Sequence, residues 1–207
     1  MATVKRRSYH SRIRRGDAPG LVCEAARELF TTNGYLPTTI EDIATAAGVA
    51  RPTVFSAVGS KPAILKAVID RAMAGDEAPV AVADRPWHHE AVNEPDPGRA
   101  ITLHARNICM IVGRVAALLR ALETAATVDT DAAALWAETK RQRREGTAAI
   151  ATDIASKTAL RCGEKELADL LFTLPPDAYY RLVTEEGWSA ERFETWLADL
   201  LHRVCIA

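Results

Sequence analysis

Residues 39–57 carry the pattern of two short helices joined by a glycine turn, and no other feature of the chain constrains its fold as strongly. The first helix starts near Thr38, which forms a capping-box pattern with Glu41, and it ends at Gly48. The second helix has Pro52 in its first turn. Because helices this short bury too little apolar surface to fold alone, the pattern predicts a helix-turn-helix unit that packs on neighbouring helices.

Further helices are predicted on both sides of this unit. Apolar residues recur at helical spacing over 17–34, where Asp17 can cap the helix, and again over 60–73. A connector rich in proline and glycine follows. Later in the chain, Pro175-Pro176 predicts a helix break. Beyond the connector the spacing predicts helices at 99–127, from 130 to beyond 154, at 164–174 and from 189 onward. No segment has the alternating pattern of a strand, so the predicted fold class is all-α.

Charge is distributed unevenly along the chain. Residues 1–72 hold 11 Lys and Arg against 6 Asp and Glu, whereas residues 73–207 hold 15 against 21. A basic end joined to an acidic body indicates that one end meets a polyanion, although chance clustering would give the same counts. With no long apolar stretch and no signal-peptide pattern, we expect a cytoplasmic protein. The scattered cysteines are predicted to be buried apolar residues rather than metal ligands or redox groups.

The second short helix carries residues suited to reading DNA bases. In a helix-turn-helix this helix enters the major groove, and its N-terminal residues face base edges. Arg51 can donate two hydrogen bonds to a guanine, Pro52 can pack on a thymine methyl group, and Thr53 can contact a base or a phosphate. Ser56 and Lys61 are placed for phosphates, which position the protein without specifying sequence. A solvated surface charge is the alternative interpretation of Arg51.

Residues at fixed spacing on both sides of this motif extend it into a longer pattern. They are Ala25, Phe30, Gly34-Tyr35, Thr39, Ile43-Ala44, Gly48-Val49, Thr53-Val54-Phe55 and Ser60-Lys61. Through them the segment from Leu21 to Val68 resembles the DNA-binding domain of the tetracycline-repressor (TetR) family. The resemblance implies phosphate contacts from Thr39 and Lys61. It also implies that the residues facing bases are Arg51, Pro52, Thr53 and Ala57.

Phe55 and the end of the basic arm provide further candidate DNA contacts. Phe55 stands where the family usually has tyrosine, so the hydroxyl that would contact a phosphate is absent; its ring either packs in the core or touches the DNA backbone. Arg14 and Arg15 close the basic arm and can enter the minor groove or rest on the backbone. A free solvated tail is the alternative for the arm.

The acidic C-terminal region predicts a dimer. Residues 168–204 resemble the ligand-binding and dimerisation domain of one branch of the same family, in which the last two helices pair across a two-fold axis. A single recognition helix reads few base pairs, so two related copies are expected to read successive grooves. The candidate dimer residues are Leu167, Leu170, Leu171, Phe193, Trp196, Leu197, Leu200 and Leu201. An intramolecular core role remains open for Trp196.

A small-molecule site is predicted between the two long helices. His104 lies on the apolar stripe of the first helix, and Trp136 lies on the second, one turn before Thr139. An apolar cavity with a few polar groups is the usual form of such a site. The candidate ligand residues are His104, Asn107, Ile108, Ile111, Trp136, Thr139 and Phe172. For His104 and the aromatic residues, a role in the protein core is the alternative.

We therefore expect a homodimeric, sequence-specific transcriptional regulator. Its expected partners are a double-stranded DNA operator, a second copy of the chain and a small apolar effector, and we expect no association with a membrane. In the leading hypothesis the effector releases a repressor from its operator. Control by a protein partner, or no control, is the alternative. Without a nucleophile–base pair, a phosphate-binding glycine loop or metal-ligand spacing, we expect no enzyme, cofactor or metal site.

The expected architecture has three parts. A basic flexible arm spans 1–16, and a three-helix helix-turn-helix DNA-binding domain with its connecting helix spans 17–73. A helical bundle for ligand binding and dimerisation spans 74–207.

Overall fold

The computed structural model describes residues 18–75 and 81–206, which form helices and no strand. The predicted all-α fold is confirmed. The helices are α1 Ala18–Thr32, α2 Ile40–Ala47, α3 Arg51–Ala57, α4 Lys61–Ala74, α5 Pro86–Asn93, α6 Pro97–Ala125, α7 Thr130–Lys157, α8 Glu164–Tyr179 and α9 Ala190–Cys205. A 3-10 turn at Val82–Asp84 precedes α5, and a π-helical turn at Tyr180–Glu185 follows α8. The arm at 1–16 and the predicted cap Asp17 lie outside the described residues.

The chain divides into two compact units between Val68 and Ile69, within α4. In the first unit α1, α2 and α3 pack against one another. Their contact is made by fully buried apolar side chains, including Phe30, Ile43 and Val54. Burying a large apolar side chain contributes about 1.5–3 kcal/mol of stabilising free energy. The two short helices are therefore stabilised by their shared core rather than by their own helix propensity.

The start of α2 differs by one residue from the sequence prediction. Thr39, not Thr38, is the N-cap: its hydroxyl accepts a hydrogen bond from the Asp42 amide at 3.1 Å, and its own amide donates to the Asp42 carboxylate at 2.8 Å. The Thr39 hydroxyl also donates to the Asp42 carboxylate at 2.7 Å, and the hydrogen bonds from the Thr39 amide and hydroxyl to that carboxylate lower the pKa of Asp42. Thr38 is instead buried, and its hydroxyl donates to the carbonyl oxygen of Gly34 at 2.8 Å. Gly48 ends the helix in the left-handed region, with φ of 66°.

The second unit is built around α6, which packs against α5, α7, α8 and α9. Helix α9 turns one stripe of side chains toward the unit's core, at intervals of four residues. These side chains are Phe193, Leu197, Leu201 and Cys205. From the other helices the core receives Ile101, Ile154, Leu167 and Leu171.

The predicted break at Pro175-Pro176 is wrong, because α8 continues through both prolines to Tyr179. Pro176 has no N–H to donate to the carbonyl oxygen of Phe172, four residues earlier. That oxygen accepts a hydrogen bond from Nη2 of Arg143 on α7 instead, at 2.7 Å. A tertiary contact thus satisfies a carbonyl group that the proline leaves unpaired within the helix.

Metal-ligand clusters, membrane-spanning helices and cysteines were compared among the described residues. Among residues 18–75 and 81–206, no three His, Cys, Asp or Glu side chains are grouped to hold a metal ion. No helix in those ranges combines the length and apolar character needed to cross a membrane. All four cysteines are free thiols, and burial raises the pKa of Cys109 to about 12.

Candidate functional site

Helix α3 presents most of its side chains to solvent. Of its seven residues, only Val54 is fully buried. The side chains predicted to contact DNA therefore lie on the outer surface of the first unit. Arg51, Pro52, Phe55 and Ser56 are exposed, and Thr53 and Ala57 are half-buried.

The Arg51 guanidinium lies beside the Phe55 ring, one turn further along α3. Its Cζ atom is 5.8 Å from the centre of the ring. Phe55 is 46% exposed, so its ring is outside the core. A cation on an exposed aromatic ring gains about 0.5–1 kcal/mol, which favours an Arg51 side chain that stays on the surface of α3. Within the part of the chain that the structure describes, Arg51 has no carboxylate partner.

Thr39 and Lys61, the two candidate phosphate contacts, both make contacts within the protein. The hydroxyl of Thr39 caps α2, as described above, and its side chain is exposed. The Lys61 ammonium donates to the carbonyl oxygen of Leu36 at 3.2 Å and lies 4.2 Å from the centre of the Tyr35 ring. The turn between α1 and α2 therefore fixes the position of the Lys61 charge.

The basic surplus of the N-terminal region lies before α1. Between residues 18 and 68, four Lys and Arg balance four Asp and Glu, whereas residues 1–17 hold six Lys and Arg and one Asp. Arg14 and Arg15 belong to this arm, outside the described residues. Long-range attraction of the first unit to a polyanion therefore depends on the arm.

A cavity of about 160 Å³ opens among α6, α7 and α8 in the second unit. Three aromatic side chains line it, Trp136, Phe172 and Tyr180. The remaining lining residues are Ala116, Leu119, Arg120, Glu123, Lys140, Arg143, Thr173, Pro176 and Asp177. Apolar side chains and five charged residues share this lining, which is suited to a small amphipathic molecule.

The structure separates the seven candidate ligand residues. Trp136 and Phe172 line the cavity, whereas the others lie elsewhere in the second unit: His104, Asn107, Ile108, Ile111 and Thr139. His104 is 1% exposed, with Nε2 2.7 Å from Oδ2 of Asp153. Asn107 donates to the carbonyl oxygen of Trp87 at 2.9 Å. Both polar groups thus have partners in the core, the usual arrangement for buried polar side chains.

Sequence reasoning missed ten of the cavity residues, and three of the ten are cations, Arg120, Lys140 and Arg143. The charge run at 140–145 indicated a solvated helix face, and for Arg141 the exposed position agrees with it. Lys140 and Arg143, however, line the cavity together with Trp136. Trp136, Lys140 and Arg143 are spaced four and three residues apart, which places their side chains on one face of α7. This spacing was the sequence signal that could have grouped the two cations with Trp136.

Residues 22–68 match the family model for bacterial regulatory proteins of the tetR family. The match begins in α1, includes α2 and α3 completely and ends in α4. Residues 22–68 therefore form a domain of the tetR family. Since α2 and α3 form its helix-turn-helix, the tetR-family domain is a DNA-binding domain. Comparison with curated proteins gave no match.

Solved structures of regulators share the fold over most of this chain. A candidate fatty acid metabolism regulator from Clostridium perfringens is 22% identical over 89% of this chain and 96% of its own, with a TM-score of 0.61. A candidate transcriptional regulator from Saccharomonospora viridis, in complex with choline, is 18% identical over 93% and 100%, with a TM-score of 0.69. The ketosteroid transcriptional regulator of Mycobacterium tuberculosis is 14% identical over 95% and 97%, with a TM-score of 0.61. These TM-scores show a common fold.

The candidate dimer residues fall into two groups. Five are fully buried in the core of the second unit: Leu167, Leu171, Phe193, Leu197 and Leu201. Three are half-buried: Leu170, Trp196 and Leu200. Trp196 and Leu200 lie four residues apart on α9, which places them on a second stripe beside the core-facing one. Only the half-buried group has surface available for a partner.

Proposed function

We propose that this protein is a homodimeric repressor that binds a two-fold-symmetric DNA operator through α3 and leaves it when a small ligand enters the cavity of the second unit. The carrying observation is the exposure of Arg51, Pro52 and Phe55 on a helix that buries only Val54. A folded domain that leaves a recognition helix uncovered offers it to a major groove.

The dimer follows from the requirements of recognition. One recognition helix contacts only a few base pairs, whereas two helices about 34–36 Å apart read successive major grooves. The half-buried stripe of α9, with Trp196 and Leu200, provides apolar surface for a two-fold contact. Residues 1–16 would add phosphate or minor-groove contacts through Arg14 and Arg15.

Control by a ligand requires that the ligand distinguish two conformations of the protein. A differential affinity of about 1–3 kcal/mol changes DNA affinity by roughly five- to 150-fold. Helix α4 is continuous across the division between the two units, so a rearrangement of the second unit can act along it. The Saccharomonospora viridis structure contains choline, which supports a small-molecule site in this fold.

The test begins with selection of an operator from a random DNA library by the full-length protein. We expect one enriched palindromic sequence, bound with a strong salt dependence and two protomers per duplex in sedimentation. Enrichment of no sequence at low salt, or a monomer that ignores the selected DNA, would contradict the proposal. Ligand release is measured separately, as the loss of fluorescence anisotropy of the bound operator on titration with candidate effectors.

A further inference from the structure

The aromatic rings of the cavity are covered by cations of the chain itself. The distances from charged group to ring centre are 4.7 Å for Arg120 on Tyr180, 5.4 Å for Lys140 on Trp136, and 4.8 Å and 4.0 Å for Arg143 and Arg144 on Phe172. The attraction of a ring face for positive charge is therefore already used within the protein. A cationic ligand at these rings would also meet the repulsion of the resident cations.

Arg143 is the partly buried cation of this group. Its Nη2 atom donates to the Phe172 carbonyl oxygen, the group that Pro176 leaves without a helical donor, and this bond fixes the guanidinium. Burial lowers the pKa of Arg143, which the charges of Asp177 and Glu123 oppose. A fixed, partly desolvated guanidinium keeps further N–H donors for an acceptor.

The neighbouring arginines are neutralised, and Arg143 is not. Arg141 forms ion pairs with Glu138 at 2.6 Å and with Glu145 at 2.5 Å. Arg144 pairs with Asp169 at 2.9 Å. In the described ranges no carboxylate lies within 4.0 Å of the Arg143 guanidinium. A positive charge fixed at a cavity without a paired carboxylate is suited to a ligand that brings the negative charge.

We propose that the cavity binds a small organic carboxylate, whose anionic group pairs with Arg143 and whose apolar body packs among the apolar lining residues Leu119, Trp136 and Pro176. The proposal rests on the proposed function in taking this cavity as the effector site. An engineered protein cavity of about 150 Å³ binds benzene, so the volume of about 160 Å³ limits the apolar body to roughly one ring. The lining holds three cations, Arg120, Lys140 and Arg143, against the two carboxylates of Glu123 and Asp177, so its net charge favours an anion.

Three probes of equal size and different charge test the proposal: benzoate, benzamide and benzylamine. Each is titrated calorimetrically into the full-length protein without DNA. We expect benzoate to bind at least about tenfold more tightly than either of the other two, because only benzoate pairs with the guanidinium. Comparable binding of benzamide would assign the affinity to the ring alone, and preference for benzylamine would assign it to Glu123 and Asp177. Either result would overturn the proposal, as would the absence of benzoate binding at millimolar concentration.

Two variants locate the contact. Arg143→Gln is expected to weaken benzoate about tenfold and to leave benzamide unchanged, whereas Arg143→Lys keeps the charge and loses part of the affinity. Arg141→Gln is the matched control, since it removes an exposed charge two residues away and should leave benzoate binding unchanged. Thermal unfolding of each variant checks that it folds, and Arg143→Lys carries the test if Arg143→Gln does not. Equal effects of the Arg141 and Arg143 substitutions would contradict a specific pair.

Measuring operator affinity separately from probe binding distinguishes the anion site from ligand control of DNA binding. Benzoate that binds the protein without changing operator affinity would retain the site and refute release by a ligand of this cavity. Operator binding by a protein that takes up none of the three probes would retain the regulator and refute the anion site.

Discussion

His104 and Asp153 form a buried contact between α6 and α7, with 2.7 Å between the imidazole Nε2 and the carboxylate Oδ2. The same oxygen accepts a hydrogen bond from the Lys157 ammonium at 2.5 Å, and that ammonium also donates to the carbonyl oxygen of Ala91 at 3.2 Å. Burial lowers the pKa of His104, and the Asp153 contact opposes this only in part. Lys157 and the nearby His88 on α5 lower it further, so the folded state favours the neutral imidazole.

This contact predicts loss of stability in mild acid. The unfolded chain, with an ordinary histidine pKa near 6.5, takes up a proton before the folded protein does. The free energy of unfolding should therefore fall as the pH drops below 6.5 toward the lower pKa of folded His104. Urea unfolding across this range measures the slope, which should flatten in His104→Gln.

Two other histidines provide the comparison. Burial also lowers the pKa of His88, so some slope should persist in His104→Gln. The charge of the exposed His89 on α5 also lowers the pKa of His88, so His89→Gln should remove only part of the His88 contribution and keep that of His104. If the free energy of unfolding of His104→Gln falls with pH as steeply as that of the wild type, His104 is not the source of the acid sensitivity.

Arg51→Ala should weaken operator binding by about 1–3 kcal/mol and relax selectivity at one base pair. The substitution removes the two hydrogen bonds that Arg51 is expected to donate to a base. Its side chain is exposed and has no carboxylate partner among the described residues, so it is available for DNA. Fluorescence anisotropy on the selected operator and on single-base variants measures both effects. Arg27→Ala is the control, because it removes an equal charge from α1, where Arg27 pairs with Glu24 at 2.6 Å. A uniform loss across all sequences would instead assign Arg51 to a phosphate.

Phe55→Tyr should tighten DNA binding by about 0.5–1.5 kcal/mol, the net gain of one hydrogen bond. Tyrosine is the usual residue of the family at this position, and the 46% exposure of Phe55 leaves room for a hydroxyl without disturbing the core. Because the new contact is to phosphate, operator and random DNA should gain equally. Anisotropy with both DNAs is the measurement, and unchanged affinity would place the ring edge away from the backbone.

The helix-turn-helix was predictable because its signals are local. Gly48 at the turn and Pro52 in the first turn of α3 each act through their own backbone conformation. The capping register was not, since Thr38 and Thr39 are each followed by an acid three residues later. Burial of Thr38 by the tertiary structure decides between them.

The cavity and the helix through the prolines depend on contacts between distant segments. Arg143 serves both, since it replaces the donor that Pro176 lacks and contributes charge to the cavity. In the sequence it is one of several basic residues in a charge run. Helical periodicity places a residue on a face, but only the packing of α8 on α7 distinguishes the partly buried Arg143 from the exposed Arg141.

The two apolar stripes of α9 predict two kinds of variant. Leu197 is fully buried in the core of the protomer, so Leu197→Ala should lower the free energy of unfolding by about 2–5 kcal/mol through cavity formation. Leu200 is half-buried and lies outside that core cluster, so Leu200→Ala should act mainly on the proposed dimer. Urea unfolding and sedimentation at several concentrations separate the effects: Leu200→Ala should raise the dimer dissociation constant, with the secondary structure retained. If Leu200→Ala leaves the dimer intact, this stripe of α9 does not face the partner.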